Sequence, residues 1–202
     1  MSSKKIYIDM DDTYFDTEEY IRKLFDANGV QYDKNRTIYN QDIDIVGKDL
    51  LEMVFSDYSC IPKKTGVKEC IELLESEYEI IFTSCYSSEE EKLAKEKYAD
   101  SIGKKILLCG GLFKQDLDLH DGIVVDDRPL NLLYSGCDSS NQYLMYNPYM
   151  NQVDLKALVD FKGTIIFSLH DLCDRVMEVN VDGELREYIC SRISKFCKGD
   201  RL

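Results

Sequence analysis

The sequence predicts an α/β fold: a mostly parallel sheet with helices on both faces and a small helical insert. Three observations carry this. Six short apolar segments recur along the 202 residues with amphipathic or polar stretches between them, the alternation expected of parallel strands covered by helices. The segments are rich in Ile, Val and Leu, as strands buried on both faces are. About seventy residues separate the first segment from the second, where a βα unit needs roughly thirty, so something is inserted there.

In chain order, KKIYID (4–9) is the first predicted strand. EEYIRKLFDANG (18–29) has helical periodicity and ends on Gly29, with Asp16 and Glu19 placed to form a capping box. GKDLLEMVFSDYS (47–59) reads as a second helix of the insert. VKECIELLESEY (67–78) carries Val67, Cys70, Ile71 and Leu74 at helical spacing. EIIFTS (79–84) is the second strand, and SEEEKLAKEKYADSI (88–102) opens on acids, which favour a helix N-terminus; its EEEK run reads as a solvated face. KILLCG (105–110), GIVVDD (122–127), QYLMYN (142–147) and TIIFSL (164–169) complete the strands. GELREYICSRISKFCKG (183–199) gathers Leu185, Tyr188, Ile189, Ile193, Phe196 and Cys197 on one helical face. The expected organisation is an α/β core from residues 1–14 plus 66–202, with residues 15–65 as a helical cap inserted after the first strand.

Composition narrows the function. The net charge of −13 disfavours a long nucleic acid, which calls for a basic stripe. It leaves room for a small phosphorylated ligand held locally. Eight cysteines are spread from Cys60 to Cys197 with no CxxC pair and no signal-peptide pattern before the first strand. A reduced, cytoplasmic protein with structural cysteines is expected. Two histidines are too few for a His-rich metal site, and no apolar run reaches the roughly 20 residues that span a bilayer. A homodimer is compatible with this composition.

The chemistry is expected at the carboxyl ends of the strands, where ligands of open parallel sheets bind. Asp9 and Asp11 follow the first strand, Thr83 and Ser84 the second, a Gly-Gly loop leading to Lys114 the third, and Asp126-Asp127 the fourth. Lys104 and Lys105 compete with Lys114 for the role of site lysine. Close carboxylates repel by about 4 kcal/mol per pair at an effective dielectric of about 20, so they need a cation or shifted pKa values. A hard divalent ion, Mg²⁺, meets that need with oxygen ligands. Together with a lysine it suits a phosphate, which carries about −1.5 to −2 charges at neutral pH. One aspartate can then attack phosphorus while a second passes a proton to the leaving oxygen. Asp9 and Asp11 lie two apart, so an extended backbone points both to one face, whereas Asp12 faces elsewhere and Asp16 starts the insert's first helix.

Asp9-Met10-Asp11-Asp12-Thr13 resembles the DxDx[T/V] signature of the haloacid dehalogenase (HAD) superfamily of phosphoaspartate phosphatases. IIFTS (80–84), VVDDRP (124–129) and YLMYNPYMNQ (143–152) look closest to the 5′(3′)-deoxyribonucleotidase family within it. The resemblance spans roughly residues 4 to 170 and implies a Rossmann-like, HAD-type core. It implies a Mg²⁺-dependent phosphomonoesterase acting on deoxyribonucleoside monophosphates. Asp9 would be the nucleophile and Asp11 the general acid/base. Thr83, Ser84 and Lys114 would hold phosphate, and Phe15 would be a substrate-contacting aromatic. Mg²⁺ would be held by Asp9, the backbone carbonyl of Asp11, and Asp127, with Asp126 in support. Three departures stand out: Asp12 sits where many members have glycine, the Lys114-to-Asp126 spacing is a few residues long, and tryptophan is absent. Tyr39, Phe55 and Tyr58 are the insert's aromatics that could stack on a base.

Two other readings compete. The same core could serve a polynucleotide 3′-phosphate, against which the negative charge argues, or a phosphoprotein. A non-enzymatic receiver-like module would use Asp11-Asp12, Asp57, Thr83 and Lys114, and requires a strand that ends at Asp57.

Overall fold

The computed structural model describes residues 4–177. The predicted helix at 183–199 lies outside the described residues. Six parallel strands form one sheet in the order β3-β2-β1-β4-β5-β6: β1 Lys4–Asp9, β2 Tyr78–Tyr86, β3 Lys105–Gly110, β4 Gly122–Asp126, β5 Gln142–Met145 and β6 Thr164–Ile166. The chain therefore starts in the middle of the sheet, runs outward to β3, then crosses back to β4. This is the doubly wound order whose reversal point, between β1 and β4, opens a crevice at the strands' carboxyl ends.

The period of two along each strand divides the core. Ile6 and Ile8 of β1, Ile80 and Phe82 of β2, Val125 of β4, and Tyr143 and Met145 of β5 face one side. Tyr7, Ile81, Val124 and Leu144 face the other. On the first side pack α1 (Thr17–Asn28), α2 (Ile45–Ser56), α3 (Val67–Leu74), α4 (Glu89–Ser101) and α7 (Leu169–Val176). On the second lie Leu132 of α5 (Pro129–Tyr134) and Leu158, which follows α6 (Gln152–Ala157). The helices α5, α6 and α7 have only 6, 6 and 8 residues, too short for a 3.6-residue periodicity to show in sequence. No helix of the described residues is long and apolar enough to cross a membrane. The six cysteines among them are all free.

The segment between β1 and α3 leaves and re-enters the core at one pinch. Phe15 and Lys63 form an antiparallel bridge, Asp16 N donates to the Pro62 carbonyl at 2.8 Å, and Lys64 N donates to the Tyr14 carbonyl at 3.0 Å. Its helices do not form a core of their own: Ile21, Phe25, Val54 and Tyr58 belong to the same apolar cluster as Ile8 and Phe82.

The expected capping box at Asp16 and Glu19 does not form, and Asp16 makes no side-chain cap. Asp12 takes the role, accepting from Glu18 N at 2.8 Å, while Asp16 pairs with Lys64 at 3.6 Å. α2 begins two residues before the predicted start because Asp44 caps it through Gly47 N at 2.8 Å. Gly66, which precedes α3, is required twice over: its φ is +76°, and a Cβ there would meet His170 Nε2 at 2.5 Å.

Candidate active site

Register places the site. Asp9, the last residue of β1, pairs with Thr83 of β2, while Ile8 pairs with Val125, so Asp126 ends β4 beside Asp9. Carboxylate oxygens of Asp9, Asp126 and Asp127 all lie within 4.8 Å of one another, and all three residues are buried. Among the described residues this is the group of acids that could hold a metal ion.

Lys114, 2% exposed, enters from the loop after β3. Its ammonium donates to Asp126 Oδ2 at 2.7 Å, to Thr83 Oγ1 at 3.1 Å and to Asp9 Oδ1. Lys104 and Lys105 instead pair with Glu75 and Glu79 at the surface, which settles which lysine reaches the strand ends. Asp126 is further fixed by Arg128 N at 2.8 Å and by Asn131 Nδ2 at 3.1 and 3.2 Å. Asn147 Nδ2 donates to Asp127 Oδ2 at 2.7 Å.

Burial pushes the Asp9 carboxyl well above the usual carboxylate range; Lys114 pulls it back, and Asp126 and Asp127 add to the rise. Asp127 is raised for the same first reason, with Asp126 and Asp12 adding to it and Asn147 opposing. Burial alone would lower the Lys114 ammonium, but Asp126 and Asp9 overcome it and hold the pKa above its ordinary value. One ammonium among three buried carboxylates leaves an excess of negative charge and a set of hard oxygen donors. That donor set fits a divalent cation such as Mg²⁺. With Asp126 engaged by Lys114, Arg128 and Asn131, Asp9 and Asp127 are the side chains that would hold it.

Asp11 forms a second centre. Its Oδ1 accepts from Thr17 Oγ1 at 3.0 Å; its Oδ2 lies 2.9 Å from Lys95 Nζ, 3.3 Å from the Tyr58 hydroxyl and 3.4 Å from Ser84 Oγ. Asp12 is held at φ 58°, its side chain accepting from Glu18 N and, at 3.1 Å, from the Tyr39 hydroxyl. Burial raises its carboxyl to about 8. Two cavities, of about 270 and 180 Å³, open beside this loop; they share Asp16 and Lys64, and the smaller reaches Asp12 and Asn147.

The structure thus gathers Asp9, Asp11, Thr83, Ser84, Lys114, Asp126 and Asp127. It does not bring Phe15 to them, which corrects the expected substrate-contacting aromatic. Phe15 has no exposed surface and packs edge-on against Tyr14 and Tyr98, with ring centroids 4.9 and 4.8 Å away. The receiver-like reading fails on geometry: Asp57 follows α2 and caps the turn Tyr58–Cys60 instead of ending a strand. Lys95, Glu91, Thr17, Asn131 and Asn147 were not anticipated. Asn147 lies just past the end of β5, where the strand-end rule could have found it. Glu91 belongs to the run expected to be solvated, yet it is buried and pairs with Lys95 at 2.8 Å.

No family model matches the sequence, and no curated protein matches it. Solved structures do. A protein assigned as a β-phosphoglucomutase from Thermotoga maritima is 14% identical with a TM-score of 0.56, the match covering 87% of this chain and 99% of that one. A haloacid dehalogenase-like hydrolase from Streptococcus pneumoniae is 14% identical at 0.55, covering 85% and 97%. A HAD-hydrolase from Bacillus subtilis, solved with bound magnesium, is 12% identical at 0.54, covering 89% and 100%. These likenesses establish the α/β fold, which the chain shares with these three proteins.

Proposed function

We propose that this chain is a Mg²⁺-dependent phosphomonoesterase that works through a phosphoaspartate, with deoxyribonucleoside monophosphates as its substrates. The observation that carries the reading is Asp9 at the end of β1, flanked by Lys114 and the Asp126-Asp127 pair, with Asp11 two residues on. A nucleophile, a phosphate-binding ammonium and a cation site share one crevice, and the shared fold with HAD-type hydrolases agrees with it.

In the proposed reaction an Asp9 oxygen attacks phosphorus, a new O–P bond forms, and the bond to the leaving oxygen breaks as Asp11 gives that oxygen its proton. Water then attacks the phosphoaspartate, Asp11 takes the water's proton, and inorganic phosphate leaves with Asp9 restored. Lys114, Thr83 and Ser84 offer hydrogen bonds to the phosphoryl oxygens as charge builds on them. A divalent cation held by Asp9, Asp127 and the Asp11 carbonyl would neutralise phosphate charge and favour the ionised form of Asp9. The burial of Asp9 and Lys114 strengthens each of these electrostatic contacts.

The test is phosphate release from a panel containing dUMP, dTMP, a 3′-phosphorylated oligonucleotide and a phosphopeptide. Release from the mononucleotides, abolished by EDTA and by Asp9→Asn, is the expected result. Protein inert toward every ester with Mg²⁺ present overturns the reading. Preference for the oligonucleotide or the peptide keeps the chemistry and replaces the substrate.

A further inference from the structure

Lys95 is 1% exposed and sits on α4, away from the strand ends that supply the other site residues. A buried ammonium is tolerated only where acceptors replace its water. Here they are Asp11 Oδ2 at 2.9 Å, Glu91 Oε1 at 2.8 Å, Ser84 Oγ at 2.9 Å and the Cys85 carbonyl. The Tyr58 ring lies 5.2 Å from the same nitrogen. A helix lysine kept only for stability is satisfied by its i,i+4 glutamate. Lys95 reaches past Glu91 to the carboxylate that follows the β1 nucleophile.

Glu91 is itself fixed. Its Oε2 accepts from both the backbone N and the hydroxyl of Ser87 at 2.8 Å, so Lys95 is anchored to an immobile partner and not to a surface side chain. Thr17 holds the other oxygen of Asp11. The carboxylate is therefore gripped from α1 on one oxygen and from α4 on the other, which leaves it little freedom to rotate.

We infer that Lys95 is a positioning residue for the acid/base step: anchored by Glu91, it holds Asp11 at the orientation from which a proton reaches the leaving oxygen. The inference rests on the phosphatase reading above. Lys95 acts through Asp11 and takes no proton itself. Its removal therefore penalises esters whose leaving oxygen needs protonation and spares esters whose leaving group departs as a stable anion.

The experiment compares kcat/KM for dUMP, an alkyl ester, with that for p-nitrophenyl phosphate, an activated aryl ester, in wild type and Lys95→Met. This ratio reports the first, phosphoryl-transfer step. Loss of a positioned general acid predicts a fall of about 100-fold for dUMP and less than about 5-fold for the aryl ester. The double variant Lys95→Met/Glu91→Met, which leaves no buried carboxylate unpaired on α4, gives the same split and serves if the single variant does not fold. Equal falls on both esters, or no fall, overturn the positioning role while wild-type activity stands. A wild type inert toward both esters and toward the 3′-phosphorylated oligonucleotide and the phosphopeptide overturns the phosphatase reading, and the inference with it.

Discussion

The Tyr39 hydroxyl donates to Asp12 Oδ2 at 3.1 Å and so ties the inserted helical segment to a residue held at φ 58°. Left-handed backbone is natural for glycine and strained for most other residues, though Asp and Asn tolerate it through local hydrogen bonds. Here the strain is offset by the bonds Asp12 makes to Glu18 N and Tyr39.

Asp12 gives stability a pH dependence of known sign. Burial raises its pKa from 3.8 to about 8 in the folded chain. The folded state thus binds more protons than the unfolded state between those values. The resulting contribution to stability is whole below about pH 4 and is lost as pH rises through about 8. Asp12→Asn keeps the acceptor and the backbone tolerance but cannot titrate. Its urea midpoint is expected to fall less than that of wild type between about pH 5 and pH 8; parallel slopes would remove Asp12 as the cause.

Lys114→Met leaves Asp9 and Asp126 facing each other without a cation. Breaking a buried ion pair by removing one partner destabilises by about 3–5 kcal/mol. Thermal melts in EDTA are expected to show this loss, with part of it recovered on adding Mg²⁺. A melt unchanged by the substitution would contradict the ion-pair geometry.

Asn147 touches the candidate metal site through Asp127 alone, at 2.7 Å. Residues that orient a metal ligand affect affinity by about 10–100-fold. Asn147→Ala is expected to weaken Mg²⁺ binding by that factor, measured by calorimetric titration, while the fold persists. Unaltered affinity would place the ion elsewhere.

Gly66→Ala forces a Cβ to within 2.5 Å of His170 Nε2 at a φ of +76°. A strained backbone position costs on the order of 1–3 kcal/mol. A drop in urea midpoint of that size is expected, and adding His170→Ala should restore the steric part but not the conformational part.

What could be read in the sequence follows from how local each signal is. KKIYID and KILLCG are strands with the predicted limits, because an unbroken apolar run bounded by charge or glycine needs no tertiary information. Asp9, Thr83, Asp126 and Asp127 were legible because strand ends in a parallel sheet converge by topology. Lys95 was not, because its role depends on how α4 is rotated against β2, and EEEKLAKEK presents charge at nearly every position. Phe15 departs from its expected place for a similar reason. The tight turn from Met10 to Tyr14, closed by Phe15 N donating to the Met10 carbonyl at 2.8 Å, sends the ring into the core, and no local pattern reveals such a closure. Asp16 lost its expected cap to Asp12, four residues upstream, through the same turn.

The order of the strands also bears on when the candidate site assembles. Lys114 meets Asp9 across 105 residues of chain, and Ser84 meets Asp11 across 73. Helices can form within microseconds, whereas such distant pairings wait for long loops to close. Assembly of the Asp9–Lys114 cluster during refolding is therefore a late event. A probe of the Asp9–Lys114 contact would report closure of the chain between them, long after circular dichroism had registered the helices.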